Sequence, residues 1–358
     1  MHVVLAGGGT AGHIEPALNT ADAIRALSCG DTLSVLGTER GLETTLVPAR
    51  GYELTLIPAT PLPRRINKDL FTLPLRLSNA IKQVEKHLKE KNADVVVGFG
   101  GYVAIPAYLA AKRAGIPIVV HEANARPGLA NRIGARYATA VVDTVAGSLT
   151  HATTLGLPLR HSIRNLDSAT AKSAAVEVWG LDPNKKTILV FGGSQGARHL
   201  NEVFAKAAPT LVSKGYQILH SVGKANADHL VSNIPGYKTV PYIDKMEFAY
   251  GIADVAVTRA GAMTVAELTA VGIPALYVPL PIGNGEQRLN ALPVVHAGGG
   301  ALVDDAELTP EIVESTLIGW LEGELDVVKA AAARCGHKDA VDTFVEIFQT
   351  AARKGRAS

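Results

Sequence analysis

One pattern occurs twice in this chain and limits what it can fold into. His2 to His13 (HVVLAGGGTAGH) and Thr187 to His199 (TILVFGGSQGARH) each read as a short buried strand that runs into a glycine-rich turn and then a helix. A second echo follows in each half, Ala93 to Gly101 (ADVVVGFGG) against Ala253 to Gly261 (ADVAVTRAG). Both lead through a helical stretch to Gly-Ile-Pro and an apolar run, at Gly115-Ile116-Pro117 and Gly272-Ile273-Pro274. Two α/β domains of like design are implied. Each strand-to-glycine-to-helix junction aims bare backbone N–H groups beyond the sheet, the arrangement that binds anions. Two such junctions facing one another would line a cleft suited to phosphates on both walls.

The length, 358 residues, allows two domains with a core each. Apolar runs rich in Val, Ile and Leu predict strands at 2–6, 32–36, 94–97, 116–120, 140–143, 187–191, 216–220, 254–257 and 274–278. Helical periodicity predicts helices at 17–27, 75–89, 105–114, 200–211 and 264–271. Near-continuous apolar strands alternating with helices mean parallel sheets covered on both faces, with ligands at the carboxyl ends of the strands. The interval from His13 to Ala93 exceeds that from Arg198 to Ala253 by about 25 residues, which places a surface insertion between Ile57 and Lys82. A proline-bearing linker is expected near residues 157–161, separating a first domain, 1–160, from a second, 161–339. The amphipathic stretch from Asp339 to Ala352 predicts a last helix, within 340–358, that returns to the first domain.

Charge is balanced, 35 Lys and Arg against 33 acids, which gives no support to nucleic acid as a partner. Its distribution is uneven. Arg64 to Lys91 holds eight bases and three acids, and Arg64, Arg65, Lys68 and Arg76 interleave with Leu70, Phe71, Leu73 and Leu75. Such a segment fits an anionic membrane surface, and it equally fits a helix packed on the sheet with a solvated basic face. Cys29 and Cys335 lack the spacing of a disulfide framework or zinc cage, so a reducing compartment is expected. The chain opens directly on a structural strand, and no apolar run reaches about 18 residues, so a cytoplasmic and not membrane-spanning protein is expected.

Several residues are placed to carry chemistry. Gly7, Gly9 and Gly12 satisfy G-x-G-x-x-G between strand and helix, with Glu39 as a possible ribose acid, but a dinucleotide site leaves the second glycine turn unexplained. His13 lies in the first helical turn, where N–H dipoles disfavour imidazolium; it reads either as a general base or as a capping histidine. Gly192 to Gly196 offers backbone donors and the Ser194 hydroxyl to a pyrophosphate. Glu267 can accept both hydroxyls of a ribose, or simply sit favourably near a helix N-terminus. The polar loop Pro281 to Asn290 ends an apolar strand and suits sugar hydroxyls. With no Asp-x-Asp motif and no His/Cys/Asp cluster at ligand spacing, neither a metal nor another cofactor is expected, and leaving-group charge would fall to helix dipoles and N–H groups.

Six strings in order, GGGTAGH at 7–13, GFGGYV at 98–103, HEAN at 121–124, GGSQGAR at 192–198, TRAGAMTVAEL at 258–268 and GNGEQRLNA at 283–291, resemble the MurG family of bacterial N-acetylglucosaminyltransferases from end to end. The resemblance implies a GT-B fold, two Rossmann-like parallel-sheet domains facing across a cleft. It also implies inverting transfer of GlcNAc from UDP-GlcNAc to the 4-hydroxyl of the MurNAc sugar in lipid I, giving lipid II for peptidoglycan synthesis at the cytoplasmic face of the membrane. Carried over by position, Thr10, Ala11, Gly12, Gly100, Gly101, Tyr102 and Asn124 would hold the acceptor diphosphate and the reacting sugar, with His13 as base. Arg160 and Ser194 would contact the nucleotide, Ile243 would offer backbone to uracil, and Ala262, Met263 and Thr264 would cap the phosphates. Glu267 would bind ribose; Glu286 and Gln287 would read the GlcNAc hydroxyls. Two positions depart from the family pattern: Ala11 stands where glycine is usual, and Leu157 where asparagine is usual. A UDP-GlcNAc 2-epimerase, which shares the donor and the two-lobed design, is the rival reading; the basic apolar insertion and HEAN speak against it.

Overall fold

The computed structural model describes the chain except residues 28–29, 40, 60–67, 194–196, 227–232, 283 and 358, together with the side chains of 68–71 and 357. Two compact units emerge, Met1–Arg160 with Asp339–Ser358, and His161–Lys338. The first holds β1 (His2–Gly7), β2 (Thr32–Gly37), β3 (Leu54–Leu56), β4 (Val95–Gly100), β5 (Ile118–Glu122), β6 (Ala140–Asp143) and β7 (Thr153–Thr154). The second holds β8 (Thr187–Phe191), β9 (Gln217–Ser221), β10 (Tyr237–Val240), β11 (Val255–Thr258), β12 (Ala275–Tyr277) and β13 (Gly300–Leu302). Their orders are β3-β2-β1-β4-β5-β6-β7 and β10-β9-β8-β11-β12-β13. Every pairing is parallel.

The repeated sequence is repeated topology. β1 lies between β2 and β4 as β8 lies between β9 and β11, so in each unit the strand order reverses beside the glycine turn. That reversal opens a crevice at the carboxyl ends, the usual ligand position of such sheets. Each Gly-Ile-Pro proves to be a helix stop. Gly115 and Gly272 adopt left-handed φ of 69° and 72° after the helices Ala104–Ala114 and Ala262–Val271. The next residues donate back into the helix, Ile116 N to Ala111 O and Ile273 N to Leu268 O, both at 2.9 Å. This is the Schellman cap, and proline then bars further helix.

The Ala-Asp-Val echo has an equally definite role. Asp94 Oδ2 accepts the His2 N–H at 2.7 Å, and Asp254 Oδ2 accepts the Thr187 N–H at 2.9 Å. Each aspartate thus ties the start of its unit's first strand to the neighbouring one. A cation from the unit's last helix completes both, Arg356 on Asp94 at 2.7 Å and Lys329 on Asp254 at 2.9 Å. The Arg356 hydrogen bond, ahead of every other contact, holds Asp94 below the usual carboxylate range.

The last helix, Ala340–Ala357, belongs to the first unit: Phe344, Val345 and Phe348 are buried with Val3, Leu5 and Val95. The opposite face of that sheet is covered by Val84, Leu88, Ala107 and Tyr108. No helix among the described residues is long and apolar enough to cross a membrane.

Removing either aspartate leaves a backbone donor without its partner, at a cost of about 1–3 kcal/mol. Asp94→Ala is expected to lower the urea midpoint of the first unit and Asp254→Ala that of the second, each sparing the other, as read by unit-resolved hydrogen exchange.

Candidate active site

In the first unit the expected residues gather at the ends of β1, β4 and β5. β1 finishes at Gly7, Gly9 turns with φ +89°, and Thr10 caps the helix Ala11–Ala26 with extended backbone. The Thr10 side chain does not cap. Its hydroxyl lies 3.0 Å from His13 Nδ1, while its carbonyl accepts the His13 N–H at 3.1 Å. Burial holds the His13 imidazole below the usual histidine range, so the ring is neutral and can take a proton. For Nε2 to be the accepting atom, Nδ1 must carry the hydrogen and donate it to Thr10.

The β4 end closes on this loop without side chains. A Cβ on Gly100 would stand 2.9 Å from His13 Cδ2 and 3.1 Å from Nε2, and one on Gly101 would stand 2.2 Å from the Gly8 carbonyl oxygen. Both glycines also have positive φ, 96° and 80°, so any other residue is excluded twice. Tyr102, 48 % exposed, lies over Gly9. Thr10, Ala11 and Gly12 are exposed at the helix N-terminus.

Asn124 is positioned by a buried carboxylate that the sequence did not single out. Glu122 accepts the Asn124 N–H at 2.9 Å, the Gly128 N–H at 3.2 Å and the Asn131 amide at 2.9 Å. Asn131 in turn accepts from the buried Tyr108 hydroxyl at 2.8 Å. Burial pushes the Glu122 carboxyl up and those donors pull it back. Beside it, His121 donates from Nε2 to the Gly156 carbonyl at 3.0 Å and packs edge-on against Phe344.

One expectation needs correction. The glycine turn does not present only bare N–H groups, because the Gly9 N–H donates to Glu43 Oε2 at 2.9 Å. Glu43 is fully buried. An anion met by this unit must therefore look to the uncapped first turn at Ala11 and Gly12.

The second unit repeats the geometry with different side chains. Gly193 turns with φ +88°; Ser194 lies outside the described residues. Beyond β11, Gly261 precedes the helix Ala262–Val271, and no side chain caps its first turn, where Ala262, Met263 and Thr264 stand half-buried. Such an N-terminus favours a phosphate. Glu267, one turn on and 3 % exposed, accepts the Tyr250 hydroxyl at 2.9 Å. Ile243 is buried beside Tyr250 in the same core. Gln287 Oε1 accepts the N–H groups of Ala260 at 3.2 Å and Leu280 at 3.0 Å, which joins the β11 and β12 ends. The expected polar loop 281–290 ends at Gly285, because Glu286 and Gln287 open the helix Glu286–His296, where Glu286 exchanges bonds with Asn284. Arg259, buried with Asp305 at 2.5 Å and the Val278 and Pro279 carbonyls at 3.1 and 3.2 Å, is a further group at these strand ends. Arg160 is half-buried as the last residue of the first unit's main segment.

In the basic segment the helix Lys68–Glu90 buries Ala80, Ile81, Val84 and Leu88 against the sheet, which bears out packing for its second half. Its first half leaves Leu75 68 % exposed, with Leu73 and Arg76 half-buried. Arg64 and Arg65 lie outside the described residues, as do the side chains of Lys68, Leu70 and Phe71.

Both units match one family. The N-terminal domain model of glycosyltransferase family 28 matches residues 3–143, and its C-terminal domain model matches residues 187–344. A protein of Streptomyces coelicolor named UDP-N-acetylglucosamine–N-acetylmuramyl-(pentapeptide) pyrophosphoryl-undecaprenol N-acetylglucosamine transferase is 58 % identical over 363 residues, 99 % of this chain and all of its own. The chain belongs to the MurG family of glycosyltransferases. A Mycolicibacterium smegmatis member of the same name is 53 % identical over 99 % of this chain and 95 % of its own. The crystal structure of Acinetobacter baumannii MurG superposes with a TM-score of 0.78 at 27 % identity, covering 98 % of this chain and 99 % of that one. A Neisseria meningitidis UDP-GlcNAc 2-epimerase, at 17 % identity and TM-score 0.67, shares the fold alone.

Burial lowers His121 from its ordinary 6.5 to about 4. As pH falls through that window the unfolded imidazole binds a proton that the folded one refuses, so this MurG family member loses stability on acidification, by about 3 kcal/mol from His121. His121→Gln, which keeps a donor toward Gly156, is expected to remove that part of the loss when urea unfolding is compared near neutral pH and near pH 4.

Proposed function

We propose that this chain moves N-acetylglucosamine from UDP-N-acetylglucosamine to the 4-hydroxyl of the N-acetylmuramyl sugar of lipid I, giving lipid II. The observation that carries the reading is end-to-end identity above one half with proteins of that name, over both units. In the reaction the acceptor oxygen attacks the anomeric carbon, its proton passes to His13 Nε2, and the bond to UDP breaks with inversion. The neutral, half-buried His13 held by Thr10 suits that proton transfer.

Gly100, Gly101, Tyr102 and Asn124 surround the acceptor sugar in this reading, with Ala11 and Gly12 on its diphosphate. On the donor side the diphosphate rests on Ala262, Met263 and Thr264, so charge on the departing UDP meets a helix N-terminus. Glu267 takes the ribose hydroxyls, Gln287 and Glu286 the sugar, Ile243 the uracil, and Arg160 and Ser194 the nucleotide. The first unit is thus the acceptor domain and the second the donor domain. The deciding experiment incubates the protein with UDP-N-acetylglucosamine, with and without a soluble lipid I analogue. UDP release only with acceptor is expected, whereas equal release without it means epimerisation or hydrolysis. His13→Ala should lower turnover by roughly a hundred- to ten-thousandfold with the KM for UDP-N-acetylglucosamine unchanged; turnover near that of the native protein removes His13 from the mechanism.

The membrane reading is also proposed here. A local net of five positive charges between Arg64 and Lys91, and the exposed Leu75, support docking on the anionic cytoplasmic leaflet that carries the acceptor. Leu75→Asp should reduce co-sedimentation with vesicles containing anionic phospholipid and leave binding to neutral vesicles as weak as before; unchanged anionic binding moves the docking surface elsewhere.

A further inference from the structure

Glu43 is a carboxylate sealed from water behind the glycine turn, and no cation lies against it among the described residues. Its partners are all neutral donors. Oε1 accepts the Thr38 N–H at 2.9 Å and the Thr38 hydroxyl at 3.0 Å, while Oε2 reaches across 34 positions of sequence to the Gly9 N–H at 2.9 Å. Burying a carboxylate is costly unless hydrogen bonds to its charged form repay it, so a chain that needed only a filled core would place an apolar side chain here.

The surroundings are cut to fit. A Cβ on Gly8 would stand 2.8 Å from Glu43 Oε1, one on Gly37 2.5 Å from its Cγ, and one on Gly41 1.9 Å from Oε2. On its far side the same turn is pressed by Gly101, whose Cβ would stand 2.2 Å from the Gly8 carbonyl oxygen. The turn is therefore clamped between a carboxylate and a glycine backbone. The clamped Gly9 is followed by Thr10, whose carbonyl and hydroxyl both hold His13.

We propose that Glu43 is a positioning residue for glycosyl transfer, which fixes the Gly9 turn and through Thr10 sets the place of the His13 ring. This rests on the reading of His13 as the base. Glu43 touches neither substrate. Its effect is confined to the first unit, because every bond it makes lies there.

Two variants test it. In Glu43→Gln one of the two oxygens becomes an NH2, so either Thr38 or Gly9 faces a donor with a donor. In Gly41→Ala the carboxylate keeps its chemistry, and the new methyl pushes it off Gly9. Each is measured for turnover, for KM of both substrates, and for hydrogen exchange of the segment spanning Gly9. Faster exchange at Gly9 is expected in both, with turnover reduced on the order of a hundredfold and the KM for UDP-N-acetylglucosamine held within about twofold. A merely structural role would instead raise the acceptor KM and speed exchange across the whole first unit together. Faster exchange with native turnover overturns the proposal, as does unchanged exchange in both variants. Should Glu43→Gln fail to fold, Gly41→Ala decides by the same criteria. Failure of the His13 reading shows separately, as native turnover in His13→Ala.

Discussion

The contact between two backbones at the ends of β1 and β4 constrains everything else in the first unit. Gly101 sits so near the Gly8 carbonyl, and Gly100 so near the His13 ring, that neither position has room for even a methyl group. Parallel strands ordinarily end in loops that diverge; here the loops touch, and the pairing of Gly7 with Gly100 accommodates this through a register shift. The gain is an imidazole, that of His13, seated against backbone, so that its position depends on few rotatable bonds. In the second unit side chains tie together another pair of strand ends, those of β11 and β12. Gln287 spans the ends of β11 and β12, Asn290 reaches the Ala260 carbonyl, and Arg259 takes two more carbonyls. Strand ends are thus held by omission of side chains in one unit and by polar side chains in the other.

What the sequence revealed of the fold follows from how each strand is covered. β1, β4, β5, β8, β9, β11 and β12 are wholly buried, so selection for apolar residues acts on both faces and leaves a continuous run. The four strands that went unread, β3, β7, β10 and β13, are the four outer strands of the two sheets. Their residues are half-exposed: Leu54–Leu56 is too short to show a period, Thr153–Thr154 is polar and open, Lys238 interrupts β10, and β13 begins on Gly300. Helix Glu43–Ala49 was hidden for another reason. Its seven residues, with Pro48 inside, give fewer than two clear turns of periodicity.

The site was legible where its residues are consecutive and obscure where they are brought together by folding. Thr10 and His13 share one string, and the Gly100-Gly101-Tyr102 turn another, so their glycines advertised a special backbone. Glu122 was inside a quoted string yet carried no sign of its burial, since its donors Gly128 and Asn131 lie after the motif. Glu43 had no signal at all: its most telling partner is 34 residues away. The two departures from the family pattern also find their explanation in three dimensions. Ala11 is the first helical residue after an extended Thr10, exposed and without positive φ, so its Cβ meets no strain. Leu157 is 1 % exposed, and the carbonyl of Pro158 beside it accepts the Asn19 amide at 2.9 Å, so an apolar side chain here adds to the core near the end of the first unit.

The two halves have kept different things. At the amino ends of the sheets the repeats agree in detail: an aspartate takes the first strand's N–H, a cation from the unit's last helix takes the aspartate, and glycine in left-handed conformation stops the preceding helix. At the carboxyl ends they agree only in outline. Registering parallel strands is the same physical problem wherever it arises, and one solution serves both units. At the carboxyl ends the first unit sets an imidazole, His13, against glycine backbone, whereas the second presents the uncapped first turn of the helix Ala262–Val271. The divergence of Gly100-Gly101 from Ala260-Gly261, at matched positions of matched repeats, is the point where the common scaffold gives way to two different arrangements of the strand ends.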